Sequence, residues 1–191
     1  MKNLFDTGFH DEAALREMGF AQVGQKVSIA KNCTIVGNLA NIRLGDHVRI
    51  DAYCTLIGTG PITIGSHVHI AGYCHLSGGN GITMEDFSGL SHGVKLYSRT
   101  DDYSGKFLTN PTVPAEYLGV IAGKITLGRH VILGANTVVM PDVSIGEGSS
   151  VGAQSLVKED LDAWGVYAGC PARRLKDRSK HLLKLEAKLR G

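Results

Sequence analysis

Proline is sparse in this chain, 5 residues of 191 beside 25 glycines. That imbalance, with a 43% apolar content, excludes a collagen-like or Pro/Gly-rich disordered chain and leaves a compact single domain crowded with tight turns. An excess of either charge is also missing. Lys and Arg number 20 against 18 Asp and Glu, a net +2, too even for the massed cations that grip nucleic acid, so none is expected as a partner. No apolar run nears the roughly 18 residues of a membrane span, and no membrane partner is expected either. The opening MKNLFDTGFHDEAALREMGF carries acids and no apolar core, which argues against a secretory signal or transit peptide. Cys33, Cys54, Cys74 and Cys170 contain no CxxC pair. A reduced, cytoplasmic protein is expected.

What the chain does have is a repeat. Ile42-Arg-Leu-Gly-Asp-His-Val48, Ile62-Thr-Ile-Gly-Ser-His-Val68 and Ile82-Thr-Met-Glu-Asp-Phe-Ser88 start 20 residues apart, and Ile125-Thr-Leu-Gly-Arg-His-Val131 restates the phrase after a gap. Within each unit aliphatic residues recur every six positions, as in Leu44, Ile50, Leu56 and then Ile64, Ile70, Leu76. Six such groups of three run from Val23 to Val157. Four residues after each aliphatic stands a small or β-branched side chain, such as Val48, Cys54, Cys74, Ser88 or Thr137. A period of six fits neither a helix nor an amphipathic strand. It fits a triangular solenoid whose sides are short strands, with both marked positions pointing inward. Gly24, Gly37, Gly45, Gly65, Gly128, Asn136, Asp142 and Gly146 would then supply corners, through positive φ or close chain approach. A core one residue wide has no room for rings, consistent with an aromatic content of 6%.

The repeat breaks once. After Leu96 the pattern resumes only at Leu127, so segment 98–123 leaves the prism as a projecting loop, and long loops in compact domains usually carry function. DEAALREMGF predicts a short helix capped by Asp11 and stopped by Gly19. DRSKHLLKLEAKLR predicts a C-terminal helix with Leu182, Leu185 and Leu189 on one face.

These eighteen repeats, the stretch IGEGSSVGAQSLVKEDLDAWGVYAGCPARRLKDR from Ile145 to Arg178 and the loop text SRTDDYSG resemble the hexapeptide-repeat acyltransferases over roughly residues 21 to 176. The similarity is greatest to the branch of galactoside and xenobiotic acetyltransferases and the N-acetyltransferases of nucleotide-linked amino sugars. It implies an all-β fold, a left-handed parallel β-helix of about six coils, which is an exception to right-handed crossovers. An N-terminal helical cap would occupy 1–20, the β-helix 21–160, and a coenzyme-binding tail with the C-terminal helix 161–191. The resemblance also implies a homotrimer with sites at subunit interfaces, and acetyl-CoA as donor. Its contacts would be backbone groups at Ala135 and Ala153, the Lys158 ammonium and the cations Arg173, Arg174 and Lys176. The chemistry agrees: pantetheine needs a long groove with free amide groups, for which corners near Gly134 and Gly152 leave room, and the coenzyme's phosphates need cations at its end.

Acyl transfer must set a nucleophile beside the thioester, accept its proton and stabilise an oxyanion. The loop position that holds a histidine base in galactoside-type relatives falls here on Asp101. A sugar hydroxyl profits from an imidazole, whereas an amine is partly unprotonated near neutral pH and needs only an acceptor for the proton it sheds. Asp101 is therefore the first catalytic candidate. Asp102 comes next, although TDDY could equally cap a turn. His92, at a coil corner before the loop, is the imidazole candidate should the acceptor be a hydroxyl. Glu116, Tyr117 and Tyr97 are candidates for contact with the acceptor. His47, His67 and His130 share one repeat slot, which favours stacking over ligation, and no metal site is expected.

The function expected is acetyl transfer to the amine of a nucleotide-linked amino sugar, such as a dTDP-4-amino-4,6-dideoxy sugar, for surface polysaccharide synthesis. The alternatives are a saccharide O-acetyltransferase of the O-antigen or galactoside type, and a non-catalytic β-helix scaffold.

Overall fold

The computed structural model describes residues 6–191; of the helical cap expected over 1–20, residues 1–5 lie outside the described residues. The chain winds as a left-handed parallel β-helix with three flat faces. The first face stacks six strands, among them Ile42–Leu44, Ile62–Ile64, Ile82–Met84 and Ile125–Leu127. The second face holds Arg49–Ile50, His69–Ile70, Gly89–Leu90 and Ile132–Leu133, continues through Gly165–Ala168, and is closed by the antiparallel strand Arg173–Asp177. The third contains Thr55–Gly58, His75–Ser77, Lys95–Tyr97 and Val138–Val139. Six coils are complete and a seventh begins.

Register follows the repeat. Ile42, Ile62, Ile82 and Ile125 are neighbours in one ladder, and Leu56, Leu76, Leu96 and Val139 in another. Aliphatic residues from Leu44 to Val157 at the six-residue period are buried, with Val23 and Ile35 of the opening coil only packed against the core. Small-residue positions from Val48 to Ser155, with Cys54 and Cys74 among them, are buried too. Each inward side chain is thus sandwiched between equivalents above and below, and apolar burial holds the coils in register.

The corners divide between the two expected causes: Gly37, Asn136 and Asp142 have positive φ, whereas others are set by close approach. Gly45 and Gly128 do not have positive φ; a Cβ on Gly45 would stand 2.7 Å from the backbone carbon of Gly65, and one on Gly128 would stand 2.8 Å from the Glu147 nitrogen. Close approach is what demands glycine there. Left-handed backbone falls instead two residues later, on His47, His67, Phe87 and His130, with φ between 55° and 60°. Their rings stack in one column at centroid distances of 4.6, 4.7 and 5.1 Å, so ring packing offsets the cost of that conformation.

Helix α1 (Glu12–Glu17) is capped by the Asp11 carboxylate and ends before Gly19, which has φ of 93°. Helix α2 (His181–Arg190) starts later than the pattern predicted, because Arg173–Asp177 is drawn into the second face as a strand. It docks through Leu182 and Glu186, while Leu185 and Leu189 face outward. Arg129, His130 and Arg190 all meet the Glu186 carboxylate. Burial pushes that carboxyl up, but the hydrogen bonds from His130 and Arg190 and the nearby charge of Arg129 outweigh it and hold it below the ordinary range.

Candidate active site

The projecting segment leaves and rejoins the helix as a hairpin. Arg99–Thr100 pairs antiparallel with Ile121–Ala122, Leu108 N–H donates to Tyr117 C=O at 2.9 Å, and the Phe107 ring sits against Gly119. The loop is therefore a folded arm with a two-stranded base. Asp102 accepts from Ser104 N–H, Ser104 Oγ and Lys106 N–H at 3.1, 2.9 and 3.1 Å. The Ser104 hydroxyl, followed by these amides, holds the Asp102 carboxyl below the ordinary range. The turn-capping chemistry readable in TDDY thus falls on Asp102.

Asp101 keeps more freedom. It is half-buried and accepts only a 3.2 Å bond from Asn110 N–H among the described residues. With Tyr97, Arg99, Asn110, Leu118 and Val138 it lines a recess of roughly 870 Å³ between the arm and the third face. That cavity offers a carboxylate, a guanidinium and apolar walls, a combination suited to a polar organic ligand of nucleotide size. Glu116 and Tyr117 form an exposed single turn on the arm's outer run and do not line the recess. Arg99 and Asn110 of the arm do, and only folding of the arm brings them over Val138 of the third face.

His92 is elsewhere. It is exposed at the corner joining the second and third faces, beside a second recess of roughly 440 Å³ on the second face. Ser91, His69, Phe87, Ile132 and Leu182 share that recess. Strand Lys95–Tyr97 separates the corner from the arm: four residue steps, Val94 to Ser98, span roughly 13 Å at 3.3 Å each. One chain therefore does not bring His92 and Asp101 into one cavity. His69 Nε2 lies 2.7 Å from Asp51 Oδ2, and Arg49 Nε donates to the other oxygen at 2.7 Å. Partial burial raises the Asp51 carboxyl, but hydrogen bonds from His69 and Arg49 bring it below the ordinary range.

The coenzyme candidates separate into two groups. Ala135 and Ala153 hold the same corner position in consecutive coils, where Gln154 N–H donates to Ala135 C=O at 2.8 Å. That carbonyl is used inside the helix, and it is the alanine N–H groups that donate to no described residue. The space beside Gly134 is filled by the next coil, since a Cβ there would stand 2.5 Å from Ala153 N. Room for a ligand comes from the outer side of the corner instead. Lys158 and Arg173 converge on Glu159 at 3.6 and 3.7 Å, all three well exposed. Arg174 turns away to Asp177 and the Tyr167 hydroxyl at 2.8 and 2.9 Å, and Lys176 lies exposed on the closing strand. Among the described residues no group of three His, Cys, Asp or Glu is arranged to hold a metal ion, and no helix is long and apolar enough to cross a membrane.

Residues 124–159 match the bacterial transferase hexapeptide (six repeats) family. Over 178 residues, 93% of this chain and 92% of the relative, the sequence is 42% identical to dTDP-4-amino-4,6-dideoxy-D-glucose acyltransferase from Escherichia coli. The fold superposes with a TM-score of 0.92 and 43% identity on AntD, an N-acyltransferase from Bacillus cereus solved with dTDP and 3-hydroxybutyryl-CoA, covering 96% of each chain. Other AntD structures, with dTDP and coenzyme A, carry a replaced serine or a replaced aspartate ten positions further on. Ser91 and Asp101 have that spacing here.

Proposed function

Because the chain belongs to the hexapeptide-repeat acyltransferase family, we propose that it transfers an acyl group from acyl-CoA to the amine of a dTDP-linked 4-amino-4,6-dideoxy sugar. The observation that carries this reading is the arm over the third face. It is the one interruption of the repeat, and it encloses a recess holding Asp101, Arg99 and Tyr97 that has the size of a nucleotide sugar.

In the reaction the amine lone pair attacks the thioester carbonyl, the N–C bond forms, and the oxyanion collapses as the C–S bond breaks. Nitrogen loses one proton and the departing sulfur gains one, so no covalent enzyme intermediate is required. Asp101 orients the amine and takes its proton. His92 and Ser91 stand at the thioester end, with Ala135 and Ala153 bonding the pantetheine arm. Lys158 and Arg173 meet the phosphates, Arg174 and Lys176 adding positive potential. Tyr97 packs against the acceptor from the recess floor, and Glu116 and Tyr117 meet it only through movement of the arm.

Since Asp101 and Ser91 lie in different recesses of one chain, the working site combines the arm of one copy with the corner of the next, in a homotrimer. The exposed Val36 and Ile132 give its faces an apolar motive to associate. We assign capping to residues 1–20, the prism to 21–160 and coenzyme binding to 161–191, in a cytoplasmic enzyme that supplies modified sugars for surface polysaccharide.

The test incubates the protein with acetyl-CoA and either dTDP-4-amino-4,6-dideoxyglucose or plain sugars, following thiol release and product mass. Amide formation on the nucleotide sugar is expected; acetylation of plain sugars alone would replace this reading with an O-acetyltransferase.

A further inference from the structure

One constellation on the second face is not demanded by the repeat. The two outward slots of a coil hold Ser28 and Ala30 at the start of this face, and Gly89 and Ser91 or Ile132 and Gly134 further along. Between them, two neighbouring coils carry Arg49 and Asp51, then His69. His69 Nε2 lies 2.7 Å from Asp51 Oδ2, and Arg49 Nε donates to Oδ1 at 2.7 Å, so both carboxylate oxygens are used. Partial burial opposes the charge on Asp51, but the bonds from His69 and Arg49 outweigh it and keep it an ionised acceptor. Such an acceptor fixes the tautomer: Nε2 carries the proton and Nδ1 keeps a lone pair. No described residue donates to Nδ1, and 54% of the side chain is exposed. An imidazole oriented by a carboxylate is the arrangement of a proton acceptor.

Its place says whose proton. His69 shares a recess with Ser91 and His92, the thioester end in the acyl-CoA reading above, on which this inference rests. The other titratable or charged groups facing it are Asp51 and Arg49 in the coil below, His67 at the adjoining corner, and His92, His130 and Arg178 around the recess. His130 is bound to Glu186, and Arg178 to three backbone carbonyls. His67 is stacked between His47 and Phe87. Among the described residues, no carboxylate orients His67 or His92. An amine that titrates near 8, as an α-amino group does, is only about 3% free at about pH 6.5. Arriving as ammonium, its nitrogen must lose one proton before attack and a second after it.

We propose that His69, oriented by Asp51, is the base that frees the amine. The ammonium proton passes to Nδ1, the half-exposed imidazolium gives it to water, and the freed lone pair attacks the thioester carbonyl. The second proton goes to Asp101 and on to the departing sulfur, so one proton is released to water for each amide formed.

The experiment measures kcat at saturating acetyl-CoA and dTDP-4-amino-4,6-dideoxyglucose, at about pH 6.5 and about pH 9, on either side of the amine. It compares the unsubstituted protein with His69→Gln and Asp51→Asn, with melting curves to verify folding. His69→Gln should lower kcat about 10- to 30-fold at the lower pH, the free fraction of the amine setting the limit, and by less than about threefold at the higher. Asp51→Asn should show the same pattern with His69 untouched, because an amide can donate to Nε2 and move the proton to Nδ1. Equal losses at both pH values, or no loss in folded variants, would overturn the base role and leave the transferase reading intact. No transfer by the unsubstituted protein at either pH would overturn both.

Discussion

Gly134→Ala should open the prism at one corner, and the cost follows from the geometry. The added methyl would stand 2.5 Å from Ala153 N, 2.8 Å from Gly152 C and 2.9 Å from Ala153 Cα, where ordinary contacts begin near 3.4 Å. All three atoms belong to the backbone of the next coil. That coil is bonded to this one by Gly134 N–H to Val151 C=O at 2.7 Å and by Gln154 N–H to Ala135 C=O at 2.8 Å, so relief must stretch the ladder by several tenths of an ångström. Forced overpacking of this kind costs about 1–3 kcal/mol. At about 2–4 °C per kcal/mol for a chain of this length, Tm should fall by about 2–12 °C. Gly89→Ala is the matched control: the same methyl meets nothing closer than 3.6 Å, and its stability should stay within about 0.5 kcal/mol. Circular dichroism melts at equal protein concentration compare the two, because the Tm of any chain that associates depends on concentration. A Gly134→Ala protein that melts with the unsubstituted one, or a Gly89→Ala protein that falls as far, would refute the close-approach account of the corners.

Three further outcomes are expected. Asp101→Asn should lower kcat about 100-fold, the ordinary scale for losing a positioned proton acceptor, with a smaller change in KM; turnover near normal would remove that role. Coenzyme A at saturating concentration should raise Tm, as any ligand preferring the native state must, and the rise at a fixed concentration should shrink in a Lys158→Ala, Arg173→Ala double variant. Finally, because the Glu186 carboxyl is held below its ordinary range, its contribution is present above about pH 4.3 and is lost as pH falls through the lower folded value. Glu186→Gln should flatten that acid limb in melting curves, and an unchanged limb would show that α2 does not depend on this carboxylate.

The prism was legible because its physics is local and repeated. Leu44, Ile50 and Leu56 point inward for the same reason as Ile64, Ile70 and Leu76, and a six-residue period has few other solutions. The stacked column of His47, His67 and His130 was legible by the same logic, and Phe87 completes it. The arm was legible only as an interruption. Its pairing of Arg99–Thr100 with Ile121–Ala122 joins short polar and apolar runs about twenty residues apart that carry no strand alternation. The start of α2 was displaced from Asp177 to His181 because Asp177 ends the strand Arg173–Asp177 that completes the edge of the second face.

The site divides along the same line. By itself the sequence determined the coil, the place where it breaks, and the kinds of group available there: carboxylates at Asp101 and Asp102, an imidazole at His92, cations from Lys158 onward. Only the tertiary structure decided which of them share a space. Asp102 became a turn cap and Asp101 kept a nearly free carboxylate; Arg174 was drawn to Asp177, leaving Arg173 and Lys158 together. His92 went to a different recess from Asp101, across the width of one face. The physical reason is that the repeat dictates whether a residue points in or out, whereas neighbours across an edge depend on where each strand ends and how the arm folds back.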